Sequence, residues 1–130
     1  MGVAVVDASV LIAAIDDRDR HHERAIAELE AALDQQALRL PAVAFSEALV
    51  VPYRSGPSRG RAVEGGLRRL GRVEPVSRDI ASRAARLRSE RQIKLPDALI
   101  LATALELRAE ILTFDERWSS VDPRVKLLTS

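Results

Sequence analysis

Four carboxylates are the residues of this 130-residue chain best suited to do chemistry: Asp7, Glu47, Asp97 and Asp115. Asp7 follows the run Val3-Ala4-Val5-Val6, and Asp115 follows Ile111-Leu112-Thr113-Phe114. An apolar run that stops at an aspartate reads as a buried strand with the acid at its carboxyl end. Ligands of open α/β sheets bind beyond those ends. Asp97 comes right after Pro96 at the opening of an apolar helix, and crossover helices begin on the side where the preceding strand finishes. Glu47 is a lone acid between apolar neighbours, roughly one to two turns into the helix after the second strand. The four acids can therefore converge on one rim. Close carboxylates repel one another unless protons or a cation compensate. Oxygen ligands without thiolate or histidine favour Mg²⁺ or Mn²⁺ over zinc. Such metals activate water and neutralise charge on a phosphodiester. Each acid also has a plainer reading: Asp97 as a first-turn acid complementing the helix dipole, Glu47 as a surface side chain reaching solvent.

The elements that must position these acids are legible in the hydrophobic pattern. Residues 2–6 read as a strand buried on both faces. Ser9 then reads as the N-cap of a short apolar helix through residue 15. Residues 16–20 form a polar connection, and residues 22–33 an amphipathic helix with Ala25, Ile26, Leu29, Ala32 and Leu33 inward. His21 and His22 read as solvated or capping residues at its start. Residues 37–40 form a second strand, Pro41 opens a helix through Val50, and Pro52 should kink or end it. Residues 56–60 carry a loop signal, residues 61–70 a short helix, and Gly71 a natural C-cap. A third strand over 72–76 belongs near a sheet edge because Pro75 lacks a donor. Ser77 caps a helix through Leu87. Pro96 opens the next helix, which runs to Leu107 with apolar residues on nearly every face and so belongs in the centre of the fold. Strands over 110–114 and 125–128 complete the chain. Strands alternating with helices predict a three-layer α/β/α sandwich around a central, mostly parallel sheet of four to five strands.

Composition narrows the function further. At 130 residues and 47% hydrophobic content the chain is expected to be a single domain over residues 1–130 with a real core. The absence of cysteine excludes a disulfide framework and a thiolate metal site. No stretch reads as a membrane span or a signal peptide, so the expectation is a cytoplasmic protein. Aromatics at 3% exclude base stacking as the main binding mode. Charge is unevenly spread: residues 54–91 hold eleven arginines against four acids, a local +7 in a chain of net +1, leaving −6 for the rest. That asymmetry suits a polyanionic partner, although solvated arginine-rich helix faces are the plain alternative.

The quartet resembles the acidic set of PIN-domain nucleases. Four strings in order resemble the VapC-type toxins of toxin–antitoxin pairs more specifically: Val6-Asp7-Ala8-Ser9, Phe45-Ser46-Glu47, Leu95-Pro96-Asp97-Ala98 and Leu112-Thr113-Phe114-Asp115-Glu116-Arg117. The resemblance implies that Asp7 and Asp97 are the principal metal ligands, with Asp115 and Glu47 completing the shell. It also implies that Ser9 and Thr113 orient a carboxylate or water from behind. It further implies an endoribonuclease dependent on Mg²⁺ or Mn²⁺ that hydrolyses RNA through metal-activated water, a homodimer, and a cognate antitoxin as partner. A non-catalytic module that binds RNA or a protein partner is the alternative. Haloacid-dehalogenase-like phosphatases need Asp-x-Asp where this chain has Asp7-Ala8-Ser9. A response-regulator receiver needs a phosphoacceptor aspartate after a middle strand, where this chain has Val76-Ser77.

Overall fold

The computed structural model describes residues 2–35, 37–118 and 121–128. Five parallel strands form one sheet in the order β3-β2-β1-β4-β5: β1 (Val3–Val6), β2 (Ala37–Pro41), β3 (Arg72–Glu74), β4 (Glu110–Thr113) and β5 (Val125–Leu127). Between them lie α1 (Ala8–Ile15), α2 (His22–Gln35), α3 (Ala42–Arg54), α4 (Pro57–Leu70), α5 (Arg78–Glu90) and α6 (Leu95–Leu107), with a 3-10 turn over Glu116–Trp118. This is the α/β sandwich that the alternating pattern predicts. Right-handed crossovers put the helices linking β1, β2 and β3 on one face and those linking β3 to β4 on the other. Accordingly α1 packs on α2 and α3, and α3 on α4, whereas α5 pairs with α6.

The direction of winding reverses between β1 and β4, so a crevice opens at the carboxyl ends of those two strands. Their register pairs Val6 with Leu112, which brings the next residues, Asp7 and Thr113, side by side. The core is built on the same strands. Ala4, Val5, Val6 and Ile111 are fully buried, as are Ala98, Ile100, Leu101, Ala102 and Ala104 of α6. The expected central helix is therefore present. Its one buried hydroxyl, on Thr103, donates to the Leu99 carbonyl at 2.7 Å and leaves no polar debt in the core. Among the described residues no helix is long and apolar enough to cross a membrane.

Several local expectations are corrected. Ser9 does not cap α1: the helix begins at Ala8 behind Asp7, and the Ser9 hydroxyl is directed to the Asp7 carboxylate. Pro41 ends β2 instead of opening α3. Pro52 does not end α3, which runs two residues past it to Arg54. Of residues 56–60 only Gly56 lies in a connection; the rest are helical. Pro57 takes the start of α4, where its missing N–H costs nothing, and Gly60 lets the helix close on the Tyr53 ring. Leu33 is 47% exposed, not inward. The helix at Pro96 starts one residue earlier, at Leu95, with Lys94 as the extended residue before it. The strands predicted over 72–76, 110–114 and 125–128 each end earlier, at Glu74, Thr113 and Leu127.

Gly71 is required by packing. Its backbone is extended, not left-handed, but a Cβ there would stand 2.3 Å from the Leu38 carbonyl oxygen of β2. That close approach lets the edge strand β3 join the sheet, where Arg39 and Glu74 also pair at 2.6 Å. Gly71→Ala is expected to lower stability by about 1–3 kcal/mol, because backbone must move to admit the methyl. Urea unfolding should show a lower midpoint with an unchanged slope.

Candidate active site

Asp7 is buried, only 7% exposed, at the exit of the central strand β1. A buried carboxylate needs donors, and two hydroxyls supply them. Ser9 Oγ donates to Asp7 Oδ2 at 3.0 Å, and Thr113 Oγ1 donates to the same oxygen at 2.8 Å. Both hydroxyls accept in turn from the backbone leaving β4: Phe114 N–H reaches Ser9 Oγ at 3.1 Å, and Asp115 N–H reaches Thr113 Oγ1 at 2.9 Å. Ser9 and Thr113 lie 3.5 Å apart, but each proton is committed to Asp7. The result fixes the Asp7 carboxylate and the exit of β4 as one unit. Asp7 Oδ1 has no protein donor among the described residues.

The other three acids stand within electrostatic reach of this point. The Asp97 carboxyl, half-buried in the first turn of α6, is pushed above its usual range by burial and then by the charge on Asp7. Asp115 raises it further, while Arg117 and Lys94 offset part of the shift. Glu47 on α3 is more exposed, yet partial desolvation, Asp7 and Asp97 push its carboxyl up as well. Asp115 goes the other way, because the Arg117 guanidinium grips it and holds its carboxyl below the usual aspartate range. Arg117 Nε lies 3.0 and 3.1 Å from the two Asp115 oxygens, Nη2 lies 2.6 Å from Oδ2, and the Arg117 backbone N–H lies 3.0 Å from Oδ1.

Glu47 and Asp97 thus both feel the Asp7 charge, Asp115 bears on Asp97, and Ser9 and Thr113 stand directly behind Asp7. Among the described residues no three acids or histidines are arranged to hold a metal ion. Asp115 in particular is turned onto Arg117. The chemistry of the set nonetheless fits a hard divalent cation: all its donors are carboxylate oxygens, one of them open on a carboxylate that two hydroxyls already hold still. A cleft of about 590 Å³ adjoins Glu47, between an apolar wall of Ile12 and Val51 and the guanidinium groups of Arg18 and Arg59. A smaller depression of about 210 Å³ adjoins Asp97, Lys94, Arg117 and Trp118.

Two features escape a reading of the sequence. Arg117 closes the string Leu112-Thr113-Phe114-Asp115-Glu116-Arg117, but nothing in its spacing says that its side chain folds back onto Asp115. The histidines stand at the start of α2 as expected, but their rings are engaged and not solvated. His21 stacks on Phe114 with ring centroids 4.3 Å apart, and its Nδ1 is buried without a partner among the described residues. His22 Nδ1 lies 2.8 Å from the Ala13 carbonyl and ties α2 to α1.

Comparison with known proteins gives three findings. The family model of the PIN domain matches residues 4–123. No curated protein matches the chain significantly. Among solved structures, a toxin–antitoxin complex from Klebsiella pneumoniae is similar at 29% identity over 95% of each chain, with a TM-score of 0.75. VapBC2 from Rickettsia felis, bound to a DNA fragment from their promoter, is similar in fold at 14% identity over 97% of each chain, with a TM-score of 0.78. VapC20 from Mycobacterium tuberculosis, a sarcin–ricin-loop-cleaving toxin, is similar in fold at 20% identity over 91% of this chain and 94% of that one, with a TM-score of 0.69.

The raised Glu47 carboxyl sets the sign of a pH effect. A folded value above the usual 4.5 means that the ionised group destabilises the fold at neutral pH. That penalty fades as pH falls through the folded value and is gone once pH is below the unfolded one. Glu47→Gln should therefore raise the melting temperature of chelated protein at pH 7, and the gain should shrink steadily toward pH 4. Thermal melts of both proteins across that range check it.

Proposed function

Because the chain belongs to the PIN domain family, its family model spanning residues 4–123, we propose that it is a divalent-metal-dependent endoribonuclease, the toxin of a toxin–antitoxin pair. The observation that carries this reading is the Asp7 carboxylate at the exit of β1, immobilised by Ser9 and Thr113, with its charge felt by both Glu47 and Asp97. Asp7, Asp97, Glu47 and Asp115 are the residues that would hold Mg²⁺ or Mn²⁺. When bound, such a cation offsets charge developing on a phosphodiester and makes a nearby water more acidic.

The chain's own residues do the rest. Asp7 offers Oδ1 from a position that Ser9 and Thr113 keep from rotating. Asp97 and Glu47, both hungry for positive charge, relieve their crowding by taking up a cation or a proton. Either carboxylate is suited to accept the proton released as water attacks phosphorus. Ten of the eleven arginines in residues 54–91 are exposed, on α3, α4, β3, α5 and the segment after it, and they supply backbone affinity without reading sequence. The cognate antitoxin and a homodimer are part of the same proposal. The similar structure from Klebsiella pneumoniae, a toxin–antitoxin complex, supports the first. Exposed Val50, Val51 and Tyr53 on α3 offer apolar surface for a protein partner.

One observation favours the competing reading, a module that binds RNA without cutting it: the Asp115 carboxylate is occupied by Arg117. The two separate cleanly. Protein freed of any partner should cleave RNA with Mg²⁺ or Mn²⁺ and be silent in EDTA. Asp7→Asn should lose at least about 100-fold in rate, since even the groups behind a metal ligand are worth 10–100-fold. Binding should weaken steeply with salt as counterions are released. RNA that is retained but left intact with Mg²⁺ present would support the binding module, and robust cleavage in excess EDTA would rule out the metal mechanism.

A further inference from the structure

We propose that Arg117 is a built-in competitor for the cation at Asp115, so that loading the crevice with metal and releasing the Arg117 side chain are one coupled event. The inference rests on the reading of the crevice as a divalent-cation site. A carboxylate has about four lone-pair positions, two on each oxygen. Arg117 engages both oxygens with three N–H groups, the single Nε–H being shared between them. Its backbone N–H and Nε approach Oδ1, and Nε and Nη2 approach Oδ2, at distances from 2.6 to 3.1 Å. A cation cannot gain an Asp115 oxygen without displacing at least one of these donors. Asp7 differs, with both of its hydroxyl partners on Oδ2 and Oδ1 left open.

The clasp is built to open. The Arg117 side chain is 72% exposed and its guanidinium has no other hydrogen-bond acceptor among the described residues. An exposed ion pair of this kind contributes little to stability, so opening it is cheap. The turn that carries it is anchored separately: Trp118 is 3% exposed, and its N–H donates to the Asp115 carbonyl at 3.1 Å. The guanidinium can therefore swing away while Asp115 and the turn keep their places. Once free it stands beside Asp97 and Lys94 at the small depression, where a phosphate oxygen is the natural next partner for an arginine fork.

The test compares Mn²⁺ affinity by the paramagnetic resonance signal of free Mn²⁺, for wild type, Arg117→Gln and Arg117→Lys. The lysine variant keeps the positive charge and loses the planar fork, which separates a clasp from simple repulsion between cations. Both variants should bind Mn²⁺ about three- to fivefold more tightly than wild type, the scale of an exposed ion pair. In an Asp115→Asn background Arg117→Lys should change nothing, because the charge is kept and the contested carboxylate is gone. An Arg117→Lys protein that binds like wild type would overturn the proposal, and so would weaker binding by either variant. Absence of Mn²⁺ binding by all three proteins would instead remove the metal reading on which the proposal rests.

Discussion

A single buried carboxylate organises this molecule. Asp7 follows the central strand in a place where little water can reach it, so the fold brings donors to one of its oxygens. Ser9 arrives from the first turn of α1 and Thr113 from the end of β4, and both are themselves held by backbone N–H groups of Phe114 and Asp115. The parallel register of β1 on β4 is what makes this meeting possible, and a slip of one residue would turn Thr113 to the opposite face. Fold and crevice are thus specified by the same hydrogen bonds.

Around that fixed charge the other acids are in tension. Burial and mutual repulsion raise the proton affinity of Asp97 and Glu47, whereas Asp115 escapes by pairing with Arg117. The crevice without a cation is therefore partly neutralised by its own arginine. Such crowding is a cost to the fold, and it is concentrated where β1 and β4 part and a ligand can enter.

Much of this arrangement is legible in the sequence, for identifiable reasons. Asp7 and Asp115 stand out because an apolar run stops at each of them, and Asp97 because Pro96 marks the helix start beneath it. The sheet follows from alternation of strands and helices. Side-chain direction over short distances is far less legible. Ser9 has the composition of an N-cap, but its proton goes to the Asp7 carboxylate and its oxygen accepts from the Phe114 N–H of the neighbouring strand exit. Residues 56–60 have loop composition, yet Pro57 and Gly60 serve the start of α4 and its contact with Tyr53. The Arg117 fork and the His21–Phe114 stack depend on rotamers and tertiary neighbours that no spacing encodes.

Whether the four acids form one cation site is tested most directly by melting wild type and Asp97→Asn, each in EDTA and in Mg²⁺. Asp97 has a raised folded value, so its charge opposes folding at neutral pH, and removing it should leave the chelated protein as stable as wild type or more so. Mg²⁺ should stabilise wild type by mass action and the variant far less. A variant that melts lower than wild type in EDTA and gains as much from Mg²⁺ would contradict the shared site and leave Asp97 as an acid that merely complements the dipole of its helix.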